Sequence, residues 1–312
     1  MKTRIGLSLF IGCVLTMTAM AQWPKLREEL QKHAIDTRGV SGDELDRTIT
    51  SYGVENADDL FIIGYFRLAT DKNVLDDSVR ILVFDKRLAR WSDTVMPRDR
   101  QSTVEGVASW SLGSVLEIRH SSRYLYLDTH LSPSAGIILL LTRELQPVTT
   151  LFGWTLRLLP GGRLLYHRGM VHFAPTHPAE VWIFDERATR DTVLYPRKPY
   201  EPIRRAYIDT VRTIYERLGE DWFMKNNHHM DPEQFGSSVN EPIVASDDGN
   251  AIAFVAHFGV GDRVETPVWE VVIVMTGIDS PEPLCREQRL SDLQQLHPGW
   301  SIEQILREQI GK

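Results

Sequence analysis

The stretch Trp154-Thr155-Leu156-Arg157-Leu158-Leu159-Pro160-Gly161-Gly162-Arg163-Leu164-Leu165-Tyr166-His167-Arg168 decides the fold together with its continuation, Glu180-Val181-Trp182-Ile183-Phe184-Asp185-Glu186-Arg187-Ala188-Thr189-Arg190-Asp191-Thr192-Val193-Leu194-Tyr195-Pro196. Thr155 to Leu159 is a short apolar run, and Pro160-Gly161-Gly162 is a turn. Arg163 to Arg168 forms a second run and Val181 to Phe184 a third. Asp185 to Arg190 then turns the chain into Asp191 to Tyr195. Runs this short, bounded by Gly, Pro and Asp, predict four antiparallel strands in one sheet.

The same unit recurs along the chain. Val79 to Phe84, the turn Asp85 to Arg90, and Trp91 to Val95 make one closing hairpin. Ile137 to Leu141 and Val148 to Phe152 make another, and Trp269 to Met275 with a turn through Asp279 and Pro281 a third. Another apolar strand precedes each hairpin: Leu60 to Phe66, Tyr124 to Leu127, Leu164 to His167 and Ala251 to Phe258. Three units carry a further strand in front: Val115 to Arg119, Thr155 to Leu159 and Ile243 to Ser246. Leu60 to Phe66 is apolar on both faces, which predicts cover on both sides. Repetition of one four-stranded unit at this period signals a radial array, and an all-β propeller is the expected fold. Four blades are readable, and Val104 to Leu112 suggests a fifth. A β-sandwich with irregular loops is the alternative.

The segments Ser246-Asp247-Asp248-Gly249-Asn250-Ala251-Ile252-Ala253-Phe254-Val255 and Gly161-Gly162-Arg163-Leu164-Leu165-Tyr166 resemble the inner hairpin of TolB-type, WD-repeat-like propellers. Glu180-Val181-Trp182-Ile183-Phe184-Asp185 is similar to the third strand of such blades. The resemblance covers two clear blades and two degraded ones. It implies a fold and an exported setting, and its motifs carry no active-site residues.

Residues 1 to 21 read as a secretory signal peptide, outside the folded domain. Lys2 and Arg4 give the positive start, Ile5 to Met20 is largely apolar, and Ala19-Met20-Ala21 is an A-x-A cleavage site before Gln22. An uncleaved anchor fits less well, since Gly6, Ser8, Gly12, Thr16 and Thr18 break the apolar run. Acylation at Cys13 would leave too short a leader. Without Lys2 and Arg4 the formal charge moves from −7 to −9. The basic residues are scattered and outnumbered by acids, 35 against 42, so no footprint for nucleic acid or anionic lipid is present. No further run is long enough to span a membrane. Of the two cysteines, Cys13 leaves with the signal and Cys285 remains, which allows no internal disulfide. Stability must then come from core burial, feasible at this length because such a chain buries roughly three quarters of its unfolded surface.

Helices flank the repeats. Residues 22 to 53 are expected as a helical cap, with Leu26, Leu30 and Ala34 on one face, a capping box from Ser41 to Glu44, Leu45, Ile49 and Tyr52 at helical spacing, and Gly53 as the stop. The propeller spans 54 to 290, and helices from 291 to 312 dock on it through Ile302, Ile305, Leu306 and Ile310. Capping boxes at Ser291 with Gln294 and at Ser301 with Gln304 open these last helices. One amphipathic helix interrupts the blades at about 202 to 224. Ile203, Tyr207, Val211, Ile214, Leu218 and Trp222 form its apolar stripe, and Arg204, Arg205, Asp209, Arg212, Glu216 and Arg217 its polar side. Packing on the propeller is the expected role; a lid or a partner contact is the alternative.

Strong catalytic signatures are absent: there is no G-x-S-x-G, H-E-x-x-H, P-loop or G-x-G-x-x-G. His228, His229 and Asp231 could supply metal ligands from one loop, but two or three adjacent groups are an incomplete set, so no metal and no other cofactor is expected. His167, His172 and His177 recur every five residues, a spacing that sends neighbours on a strand to opposite faces. Carboxylates precede several apolar strands: Asp58 and Asp59 before Leu60, Glu105 before Val107 and Glu241 before Ile243. If those strands lie innermost, Asp59, Glu105 and Glu241 could gather at one channel mouth and act as the acid and base of a glycoside hydrolase. The leading expectation is instead an exported, monomeric, non-catalytic propeller that binds a protein or carbohydrate partner, periplasmic or secreted; glycoside hydrolysis is the alternative.

Overall fold

The computed structural model describes residues 28, 49–56, 58–68, 75–101, 109–112, 114–132, 135–168, 180–198, 201–219, 221, 237–259 and 268–312. Four four-stranded antiparallel sheets carry the described chain, each with its strands in simple sequential order. The first is β1 (Ile49–Asn56), β2 (Leu60–Leu68), β3 (Leu75–Asp85) and β4 (Arg90–Pro97). A two-stranded ribbon follows, β5 (Asp99–Arg100) with β6 (Trp110–Ser111). The second sheet is β7 (Ser114–His120), β8 (Tyr124–Ser132), β9 (Ala135–Thr142) and β10 (Pro147–Phe152). The third is β11 (Trp154–Leu159), β12 (Arg163–Arg168), β13 (Glu180–Asp185) and β14 (Arg190–Tyr195). The fourth is β15 (Ser237–Ala245), β16 (Ala251–Phe258), β17 (Trp269–Thr276) and β18 (Leu284–Arg289). The protein is thus an all-β chain of four-stranded blades with few helices, the class that the repeats predict. Val104–Leu112 does not supply a fifth such sheet among the described residues; its described end joins the two-stranded ribbon.

Two compact units divide the chain, the first ending at Phe152 and the second running from Gly153 to Lys312, apart from residues 133–135. In the first unit β1 packs beside β7, so its two blades meet at their first strands. Ile62, Ile81, Val83, Ile118, Leu127, Leu139 and Leu141 form the core there. Phe61, Ile62 and Ile63 are all buried, as expected for a strand covered on both faces. Gly64 makes room for this packing, because a Cβ there would stand 2.8 Å from the terminal methyl of Ile118 and 3.1 Å from one of Leu127, and both side chains would have to shift. In the second unit Leu165, Ile183, Phe254, Ile273 and Met275 form a second core.

The closing hairpins repeat one turn chemistry. Asp85 Oδ1 accepts from the backbone N–H groups of Arg87 and Leu88, each at 2.9 Å, and Asp185 Oδ1 accepts from that of Arg187 at 2.8 Å. Thr142 Oγ1 does the same for Glu144 at 3.2 Å. Such side chains trade places with a backbone acceptor and so fix a tight turn. Each turn then passes through a left-handed residue: Ala89 at φ 49°, Leu145 at 61° and Thr189 at 49°.

The helical cap is corrected in part. Ile49, Tyr52 and Gly53 lie in β1, paired with Arg67, Tyr65 and Gly64 of β2. Their three-residue spacing imitates a helix, but pairing along an apolar neighbour strand decides the conformation. Residues 1–21 and most of 22–48 lie outside the described residues.

The insertion is helix α1 (Pro202–Leu218), with Pro202 in its first turn. Tyr207 and Val211 are buried in the second unit's core, with Ile203, Ile214 and Leu218 packed against it. Tyr207 lies 5.6 Å from the ring of Phe258 and 5.1 Å from that of Trp269. Arg204 departs from the expected polar side: it is 2% exposed, with its guanidinium 5.2 Å from the centre of the Phe258 ring. Glu287 of β18 holds the helix start. Its Oε2 accepts from the N–H groups of Ile203 at 2.7 Å and Arg204 at 3.1 Å, serving two donors that lack partners within the helix. Trp222 lies outside the described residues. At the C-terminus, α2 (Leu290–Leu296) and α3 (Ile302–Ile310) bury Leu290, Leu293, Ile305 and Leu306 against β16 and β17. Ser301 and Gln304 form the expected capping box, whereas Ser291 falls inside α2, where Arg289 is the N-cap.

Candidate functional site

Within the first unit, charged side chains collect where β1 ends and the opening turn of the first blade begins. Asp59 lies in that turn, between β1 and β2. Its Oδ2 accepts from the Arg143 guanidinium at 3.0 Å, and its carbonyl accepts from the Lys86 N–H at 2.9 Å. Arg143 belongs to the β9–β10 turn and Lys86 to the β3–β4 turn, so three separate turns meet at one residue, Asp59, through its carboxylate and its carbonyl. Glu55, near the end of β1, contacts Nδ1 of His120, the last residue of β7, at 2.6 Å. Asn56 Oδ1 accepts from Lys86 Nζ at 2.6 Å.

Strand packing explains this convergence. Because β1 lies beside β7, the ends of both strands and the turns that follow them share one edge of the unit. The side chains of Glu55, His120, Asp59 and Arg143 are 28%, 27%, 31% and 32% exposed, so each is held in place and still open to solvent. An ion pair at this exposure adds little stability. Its effect is to orient two carboxylates within five residues of each other, one on an imidazole and the other on a guanidinium. Such groups can accept and deliver protons, or stabilise a developing positive charge, at a bound polyol.

Asp59 therefore sits in a structured charged edge, but it precedes a second strand, β2, and not the first strand of its blade. Glu241 lies in β15, the first strand of the fourth blade, where the register with β16 is interrupted between Asn240 and Val244. Glu105 lies outside the described residues, as do His228, His229, Asp231, His172 and His177. Among the described residues no group of three or more His, Cys, Asp or Glu could hold a metal ion. His167 is a buried strand residue whose ring stacks 6.0 Å from that of Trp154. Glu55 and His120 escape a reading of the sequence because a helix expected to stop at Gly53 hides the strand that runs on to Asn56. Their 65-residue separation leaves no local signal.

No protein-family model matches the chain, and no curated protein does. Solved structures that are similar to it include two glycosidases. One is the catalytic domain of a Coprinopsis cinerea GH62 alpha-L-arabinofuranosidase, 9% identical over 78% of this chain and 68% of that one, with a TM-score of 0.30. The other is a GH43 beta-1,3-galactosidase, 9% identical over 75% of this chain and 44% of that one, with a TM-score of 0.29. Both are glycosidases by name, which corrects the expectation of a non-catalytic partner-binding module without giving this chain an activity. At this distance they assign no residue and no substrate, which leaves both to the chain's own geometry. No described helix is long and apolar enough to cross a membrane.

Proposed function

We propose that the chain is a glycoside hydrolase whose acid and base are carboxylates at the turn ends of its blades. The supporting observation is the pair at the first blade's opening turn, Glu55 on His120 and Asp59 on Arg143. Hydrolysis of a glycosidic bond needs one carboxyl group to protonate the leaving oxygen and a second to activate water or attack the sugar. Asp59, fixed by a guanidinium, suits the second task. Glu55 exchanges a hydrogen bond with an imidazole and suits the first. Glu105 and Glu241 are further candidates for either role. Export through the leader at residues 1–21 fits an enzyme that meets polysaccharide outside the cytoplasm.

A panel of aryl glycosides and oligosaccharides tests the activity. Asp59→Asn and Glu55→Gln are each expected to lower kcat by ~10²–10⁴-fold, the usual worth of a positioned acid or base. Glu105→Gln and Glu241→Gln, run beside them, show which partner completes the pair. Full activity in Asp59→Asn removes that residue, and no hydrolysis of any substrate by the wild-type chain overturns the reading.

A further inference from the structure

In the second unit, the turns of the third and fourth blades enclose a cavity of about 530 Å³. That volume falls in the ordinary range for small-molecule sites, roughly 300–1,000 Å³. Arg163, Arg190 and Arg197 line it, together with Asp185 and Asp279, so guanidinium groups outnumber carboxylates three to two.

We propose that this cleft binds a uronic-acid unit of a glycan, its carboxylate on Arg190 or Arg197 and its hydroxyls on Asp185 and Thr192. Arg163 has a different task. It is paired with Asp279 and also donates to the Pro160 carbonyl and to the Asp248 carbonyl, each at 3.2 Å, so it ties the wall of the cleft together. Asp279 N–H donates to Asn250 Oδ1 at 3.1 Å, and a Cβ on Gly249 would stand 2.8 Å from Pro160, so the wall is close-packed as well as bonded. Arg190 has no salt-bridge partner among the described residues, and Arg197 donates only to the Pro281 carbonyl, at 3.4 Å. Arg190 opens β14 and Arg197 follows its end, and both exposed guanidinium forks border the cleft with the planar geometry that a carboxylate needs.

The rest of the lining selects the ligand class. Asp185 uses Oδ1 for its own turn, and its carboxylate also borders the cleft, where it can accept hydrogen bonds from a polyol. Ile278, Pro281 and Pro283 add apolar surface suited to the C–H face of a sugar ring. Charge, hydroxyl acceptors and apolar surface together describe a sugar acid better than inorganic phosphate. This binding is separate from the proposed hydrolysis and does not depend on it.

Calorimetric titration of the full chain with trigalacturonate, cellotriose and inorganic phosphate tests the proposal. Trigalacturonate is expected to bind at least about tenfold more tightly than either of the others, and less tightly as salt rises. The double variant R190A/R197A should lose that preference, with an unchanged melting temperature and unchanged hydrolysis of neutral substrates. Thr192→Val, a milder change, should weaken the uronate alone. Equal affinity for cellotriose, equal affinity for phosphate, no uronate binding, or wild-type affinity in the double variant each overturns it.

Discussion

At the scale of single residues, His167 shows how burial turns an ordinary side chain into a source of pH dependence. Desolvation lowers its pKa from 6.5 to about 4. Between those values the unfolded chain binds a proton that the folded chain refuses, so stability is complete above pH 6.5 and falls as the pH drops toward 4. The loss reaches at most about 3 kcal/mol. Urea midpoints at pH 7.5 and 4.5 should therefore differ for the wild-type chain by more than for His167→Leu. An equal shift in both proteins would assign the acid sensitivity to other groups. Arg204 carries a related lesson. Its place in the helix period predicts solvent, yet Phe258 and the Tyr195 phenol take up its guanidinium. A periodicity ranks faces by hydropathy and is blind to an aromatic ring that a cation can cover.

At the scale of elements, the closing hairpins carry strain that can be removed. Thr189 adopts φ 49°, a conformation unfavourable to a β-branched residue. Thr189→Gly is expected to stabilise the chain by about 1 kcal/mol, the strain relieved less the added freedom of the unfolded state, as read from the thermal midpoint. The aligned turns Asp85, Thr142 and Asp185 were legible because their chemistry is local: one side-chain oxygen and the N–H groups that follow it. For α1 the important contacts are distant. Tyr207→Ala removes a buried ring and should cost about 3–5 kcal/mol, the range for large aromatic truncations. A loss below 1 kcal/mol would mean that the helix rests lightly on the third and fourth blades.

At the scale of the whole molecule, the strands of the second and third blades and the two middle strands of the fourth were readable within a few residues because each buries a short apolar run between turn residues. The fourth blade's closing strand β18 instead alternates exposed and half-buried residues and has no such run. The first strand of the remaining blade was not readable: Leu45, Ile49 and Tyr52 mimic a helix, and only the pairing of β1 with β2 corrects the reading. Half of the charged edge was legible, since Asp59 follows from the acids that flank strands. Glu55 and His120 depend on two blades meeting. Cys285 is half-buried and unpaired, and burial pushes its thiol pKa up, reinforced by the charges of Glu201 and Glu287. A thiolate is the reactive form, so native Cys285 should react with a thiol reagent far more slowly than the denatured chain does. A thiol reacting at the denatured rate would contradict its placement beneath α1.

The grip of Glu287 on the start of α1 has a consequence for the order in which the chain is made. The carboxylate that anchors Ile203 lies 84 residues further along, so α1 is synthesised long before its anchor exists. In that interval its apolar stripe and buried arginine have no β18 to rest on. A chain ending at Pro283 would keep the helix and lose the clasp. Limited trypsin digestion should cut such a chain rapidly at Arg204 and Arg205 and spare both bonds in the intact protein. The last blade is in this sense a latch, and a ribosome must finish it before the insertion can settle.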